Sequence, residues 1–196
     1  MKKGVAFLLA GALCLCLAGC TAVTPERAAD GAVWDEGWVT VGGVLGVDTP
    51  AGMTHRETNE ALSANGMFYA AWSMGEGEDY TNEDGDAAVL YDAQVYALLA
   101  GAASQEEAEK AADEWLALAE ERYAVEGRWS ETYNGQTFTV LRYTYSSETN
   151  PYQRGAAAYG VYGNFAVSVE LSCREDFAGD ALETLAGFLE HCHYGA

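Results

Sequence analysis

Phe165 to Cys173 limits what this chain can become more than any other stretch. Phe165, Val167, Val169, Leu171 and Cys173 fall on one side of a period-two repeat, and Ser168, Glu170 and Ser172 on the other. That alternation is the mark of a half-buried β-strand, and it turns Cys173 toward the core. Arg154 to Tyr162 precedes it across Gly163-Asn164, so the two segments read as a hairpin. A second hairpin lies just upstream, where Arg128 to Tyr133 and Gln136 to Ser146 flank Asn134-Gly135. Asn-Gly accepts positive φ at both turn positions, which two-residue hairpin loops demand. Hairpins in succession build an antiparallel sheet.

The rest of the chain supplies more strands and two helices. Val39 to Val47 carries a strand pattern despite Gly42, Gly43 and Gly46, and Asp48-Thr49-Pro50-Ala51-Gly52 is turn chemistry. Gly66 to Met74 is apolar and aromatic, as strands are. From Gly75 to Asp86 the chain is polar, with six carboxylates at Glu76, Glu78, Asp79, Glu83, Asp84 and Asp86. Calcium favours such oxygens, but EF-hand spacing is absent and a solvated hairpin loop is the better reading. Ala87 to Leu99 alternates, with Val89, Tyr91, Ala93, Val95, Ala97 and Leu99 on one face and Asp92 and Gln94 on the other. Ser104-Gln105-Glu106-Glu107 forms a capping box that opens a helix running to about Ala124. Its apolar stripe is Ala108, Ala112, Trp115, Ala119 and Tyr123, with Glu106, Glu109, Asp113 and Glu120 outside. A last helix spans about Asp176 to Cys192. The expected fold is α+β: an antiparallel sheet of about six to seven strands flanked by two main helices.

The N-terminus carries an address. Lys2 and Lys3 precede an apolar or small run from Gly4 to Ala18, too short for a membrane span of about 20 residues and built like an export signal. Leu17-Ala18-Gly19-Cys20 resembles the lipobox of bacterial lipoproteins. That resemblance implies that residues 1–19 are a signal peptide and that the Cys20 sulfur takes a diacylglyceryl group. Cleavage before Cys20 would leave a lipidated N-terminus. Residues 20–37 then form a tether, with Trp34 and Trp38 where it docks, and residues 38–196 form a single extracytoplasmic domain. The expected location is the outer face of a bacterial cell membrane, with the membrane contacted through lipid on Cys20. The alternatives are an ordinary secretory signal with a stray cysteine, or an uncleaved anchor.

Charge narrows the partners. The chain carries a formal net charge of −20, and Lys110 is the only lysine beyond the leader. Such a surface repels phosphate backbones, so no nucleic-acid partner is expected. Export permits a disulfide between Cys173 and Cys192; two buried free thiols are the other reading.

No motif names a reaction. His55, His191 and His193 are the only histidines, and no serine stands in a Gly-x-Ser-x-Gly context. Paired carboxylates for glycoside cleavage are abundant by count, but their separation across a cleft is invisible in sequence. His191-Cys192-His193 offers metal-like donors. Adjacent helical residues point about 100° apart, however, so a frayed helix end is the better reading. The expectation is no catalytic residue, no metal and no cofactor. Aromatics make up 12% of the chain, and Tyr143, Tyr145, Tyr152, Tyr159 and Tyr162 gather around the two hairpins. They are the candidate binding surface, against the alternative that most are core or cross-strand pairs.

Several stretches together resemble the PsbP-like family, which includes many bacterial lipoproteins. They are Val47-Asp48-Thr49-Pro50-Ala51-Gly52, Ala103-Ser104-Gln105-Glu106-Glu107-Ala108, Tyr133-Asn134-Gly135-Gln136-Thr137-Phe138, Tyr162-Gly163-Asn164-Phe165-Ala166-Val167 and the terminal helix. They cover roughly residues 39–193. The resemblance implies a sandwich used as an accessory or binding module, mostly without catalysis. Photosynthetic members help hold ions at an oxygen-evolving complex, and no site of theirs transfers to this chain. The expected function is therefore a lipid-anchored, non-catalytic accessory or assembly module. The alternative is a lipid-anchored binding protein for a solute, sugar or peptide, using the aromatic surface. A partner would be another cell-envelope protein or a small solute.

Overall fold

A computed structural model describes residues 37–59, 66–81, 85–146 and 150–195. Cys20 and most of the tether lie outside the described residues. Before the first helix come β1 (Trp38–Val41), β2 (Leu45–Asp48), β3 (Met53–Asn59), β4 (Met67–Met74), β5 (Glu78–Thr81), β6 (Ala87–Leu90) and β7 (Ala93–Gly101). Then follow α1 (Gln105–Arg122), β8 (Tyr123–Tyr133), β9 (Gln136–Tyr145), β10 (Tyr152–Tyr162), β11 (Phe165–Arg174), α2 (Ala181–Glu190) and β12 (Cys192–Tyr194). The main sheet has seven antiparallel strands in the order β3-β4-β7-β11-β10-β9-β8. The expected α+β architecture is the one observed.

Both hairpins form where the turn residues put them. Asn134 takes φ 49° and Gly135 φ 79° between β8 and β9, while between β10 and β11 Gly163 takes φ 54°. These left-handed values match the twist of the flanking strands. In β11, Val167, Val169, Leu171 and Cys173 join Leu185, Phe188 and Leu189 of α2 in one core. The strand is not half-buried as the alternation implies. Ala166, Ser168 and Ser172 on the other face are buried too, because β11 is the central strand and α1 packs across that side. Leu141, Tyr143, Ala157 and Tyr159 meet Ala112, Trp115 and Ala119 of α1 in a second core. A small sheet, β1-β2-β12, sits with α2 on the first side.

The helix starts are chemically specified. Ser104 Oγ accepts from the Glu107 amide at 3.2 Å, and the Glu107 carboxylate accepts from the Ala103 amide at 3.1 Å. The carboxylate therefore reaches one residue further back than a standard capping box. The second helix begins at Ala181, later than expected, because the Asp180 side chain accepts from the Leu182 and Glu183 amides. Its end also differs: Cys192 enters β12 and pairs with Val47 rather than continuing the helix.

Three other readings are corrected, and the state of Cys173 and Cys192, left open by the sequence, is resolved. Val39 to Val47 is two strands, turned at Gly42 and Gly43 with φ 62° and 68°. Ala87 to Leu99 is also two strands, broken at Tyr91-Asp92. There the Asp92 amide bonds to the Met74 carbonyl and its carbonyl accepts from the Arg174 amide. The first half, β6, leaves the main sheet to pair with β5 in a separate arm. After α1 the sheet resumes at once, at Tyr123 rather than Arg128, with a register shift between Val125 and Gly127. Cys173 and Cys192 are both free and buried. Cys173 lies near Asp180 at the start of α2, while Cys192 follows its end. A ten-residue helix is about 15 Å long, beyond the roughly 7 Å that a disulfide spans between Cα atoms.

Candidate functional site

Helix α1 leaves the end of β7 and delivers the chain to β8 at the far edge, so it crosses the sheet obliquely. It packs mainly on β10 and β11, leaving a corner over β3, β4 and β7 less covered. Register fixes what shares that corner. One row across the strands is Glu57, Ala71, Tyr96, Glu170 and Ala157. The next is Thr54, Ser73, Gln94, Ser172 and Gly155. Small residues on β10 leave room for large neighbours. A Cβ on Gly155 would lie 2.5 Å from the Tyr143 hydroxyl, so the ring of Tyr143 needs that glycine.

Hydroxyls and carboxylates tie the corner together. Glu170 accepts from Tyr159 at 2.7 Å, Tyr123 at 3.3 Å and Ser168 at 3.4 Å. Tyr145 and Ser172 share a hydrogen bond of 2.7 Å, and the Tyr143 hydroxyl donates to the Leu171 carbonyl. Tyr69 donates to Glu57 at 2.6 Å. Arg56, at a bulge in β3, donates to Ser73 and lies 4.5 Å from the centre of the Tyr91 ring. Burial pushes the Tyr123, Tyr143, Tyr145 and Tyr159 hydroxyls above their ordinary pKa, and the Glu170 carboxylate adds to the rise. Tyr152 is pushed up to about 12, first by burial. Tyr96 is raised by burial and then by Glu57. These shifts keep the phenols neutral, so each remains a donor.

Tyr96 stands apart because the residue is 40% exposed. No other Phe, Trp or Tyr among the described residues is as exposed. Beside the corner, an open groove of about 480 Å³ runs past Tyr80, Leu90, Asn150, Gln153, Arg174 and Asp176. In it Arg174 pairs with Glu78 at 2.9 Å and with Asp176 at 3.2 Å.

The five tyrosines expected to form one surface do not. Tyr145 and Tyr152 border the corner. Tyr143 and Tyr159 are buried beneath α1, because alternation turns them inward there. Tyr162 points to the opposite face and lies 5.5 Å from the Tyr194 ring. Tyr69, Tyr91 and Tyr96 of the corner escaped sequence reading, as did Arg56 and Glu57. One signal was present: Tyr96 is a large aromatic on the polar side of an alternating strand.

The histidines disperse. His55 shares a hydrogen bond with Thr58 and tilts against Trp72. His191 faces Asp48 at 3.7 Å, His193 stacks on Trp38, and the Cys192 thiol turns inward to the Phe188 carbonyl. Three side chains in sequence therefore point three ways. Among the described residues no group of His, Cys, Asp and Glu is arranged to hold a metal ion. Among them, too, no helix is long and apolar enough to cross a membrane.

No protein-family model matches the sequence, and no curated protein matches it. A solved structure does: the solution structure of cyanobacterial PsbP (CyanoP) from Synechocystis sp. PCC 6803. The two are 10% identical, with a TM-score of 0.38, over 74% of this chain and 94% of that one. At that distance, function must be read from the chain's own geometry.

Proposed function

We propose that this chain is a lipid-anchored accessory or assembly module. It is held on the outer face of a bacterial cell membrane through Cys20 and works by docking a partner rather than by catalysis. The tyrosine corner carries this reading. Much of both faces of the sheet is buried against α1 or against α2 and the small sheet, although the edge strand β8 stays largely exposed. Here stands Tyr96, the most exposed Phe, Trp or Tyr among the described residues, on a strand face whose polar atoms are tied by hydrogen bonds. Rigid, pre-ordered aromatics suit protein interfaces because little side-chain entropy is lost on contact. The leader motif ending at Cys20 supports the anchor. The open groove with its Asn150 and Gln153 amides favours the second reading, a polar solute or sugar.

Two experiments test the proposal. Cys20→Ser should move the protein from the detergent-rich to the aqueous phase; a variant that stays with detergent argues against lipidation. A photo-crosslinking residue at exposed Thr54, bordering the corner, should give a discrete adduct on intact cells. The same probe at Leu118, which is 51% exposed on the outside of α1, should give none. Equal labelling from both positions, or none from Thr54, removes the docking role.

A further inference from the structure

The corner has a charge preference as well as a shape. Glu57 and Glu170 line it, and Glu78, Glu175 and Asp176 continue it along the groove. The two cations present are already engaged. Arg174 is held by Glu78 and Asp176, and Arg56 by Ser73 and the Tyr91 ring. A net negative potential is left for whatever approaches, on a chain whose total is −20. A second copy of this chain, an anionic lipid surface or a nucleic acid would be repelled by it.

The rings strengthen that preference. A phenol that donates to a carboxylate gains electron density, and an electron-rich face holds a cation better. Tyr69, half-buried at the corner, donates to Glu57, while the Tyr96 hydroxyl donates to Gln94 at 3.4 Å. Arg56 over Tyr91, at 4.5 Å, is an internal example of the contact. Tyr96 is the most exposed Phe, Trp or Tyr among the described residues, and Glu57 shares its row across Ala71.

Resting on the docking role, we infer that the corner receives a lysine- or arginine-bearing segment of a partner protein, with the cation seated on Tyr96 near Glu57. A neutral sugar would use the same rings but would gain nothing from the carboxylate field. Opposite charge also speeds encounter, so binding should weaken steeply with salt.

The test uses the full chain in non-ionic detergent and three labelled probes: an Arg-Gly repeat peptide, a Glu-Gly repeat of equal length, and a neutral oligosaccharide. Only the first should raise fluorescence anisotropy. Tyr96→Ala should weaken it about tenfold, while Tyr96→Phe, which keeps the ring, should stay within about twofold. Glu109→Gln with Asp113→Asn removes two charges from the outside of α1 and should also cost less than about twofold. If that double variant weakens binding as much as Tyr96→Ala, the attraction is general acidity and the site is lost. Binding of the oligosaccharide in place of the Arg-Gly peptide overturns the inference as well. A Thr54 adduct on cells that excess Arg-Gly peptide fails to suppress would sink the cationic partner and leave docking intact. Absence of any Thr54 adduct would instead sink docking itself.

Discussion

Asn134 shows how much one residue can hold. Its φ of 49° sets the β8–β9 turn, as the Asn-Gly pair requires. Its side-chain amide then donates to the Glu190 carbonyl at 2.7 Å and the Cys192 carbonyl at 2.8 Å. The hairpin tip is thereby fastened to the end of α2 and the start of β12. Asn134→Gly keeps the turn conformation and deletes both bonds, so it isolates the fastening. It should destabilise the chain by about 1–3 kcal/mol, read as a lower urea midpoint at unchanged m. Asn134→Asp should cost more, since a carboxylate would face two carbonyl oxygens. A Gly variant as stable as the parent would show that solvent replaces these bonds without loss. The turn was legible in the dipeptide; its second task was not, because the two acceptors lie 56 and 58 residues away.

At the scale of elements, legibility followed the contrast between two faces. The apolar stripe from Ala108 to Ala119 on α1, with Tyr123 opening β8, was readable because the side facing the sheet is apolar and the outer side acidic, and these residues are buried as expected. The edge strand β3, Met-Thr-His-Arg-Glu-Thr-Asn, has no such contrast and passes for loop. Tyr91-Asp92 preserves the alternation, so nothing local marks the break between β6 and β7. The tyrosine corner was missed for the same reason, since α1's oblique path, which alternation does not encode, decides which strand faces stay open. The start of α2 does carry a local signal. Hydrogen bonds from the Glu183 and Leu182 amides, with Arg142 at 3.3 Å, hold the Asp180 carboxyl below the usual range. A depressed carboxylate contributes stability above its unfolded pKa of about 3.9, and that share is lost as pH falls through the folded value. Acid should therefore loosen the α2 cap only below about pH 4, after ordinary carboxylates have begun to protonate. Asp180→Asn, which still caps, should show a shallower loss of helix signal below about pH 4. Identical acid profiles for the two proteins would remove Asp180 from the acid response.

Taken whole, the molecule pairs an acidic exterior with an interior rich in phenols, and the two respond oppositely to pH. Among the twelve tyrosines, Tyr123, Tyr143, Tyr145, Tyr159 and Tyr194 are pushed above their ordinary pKa by burial. Burial likewise takes Tyr133 and Tyr152 up to about 12. In the unfolded chain each titrates near 10. A raised folded pKa means that the stabilisation is complete below pH 10 and declines as pH climbs through the folded values. Above 10 the unfolded chain has shed protons that the native state keeps, so the stability slope against pH is negative. Several phenols act together, in both cores and at the corner. The thermal midpoint should therefore fall steeply between about pH 10 and 12 while changing little from about pH 7 to 9. Phenolate absorbance should rise in two stages in the native protein and in one stage in urea. The second native stage should coincide with loss of near-ultraviolet ellipticity, because Tyr159 and Tyr123 cannot ionise beside Glu170 unless α1 lifts away. A native titration complete near pH 10, with ellipticity intact, would mean that these phenols are solvated, and the packing of α1 over the sheet would have to be redrawn.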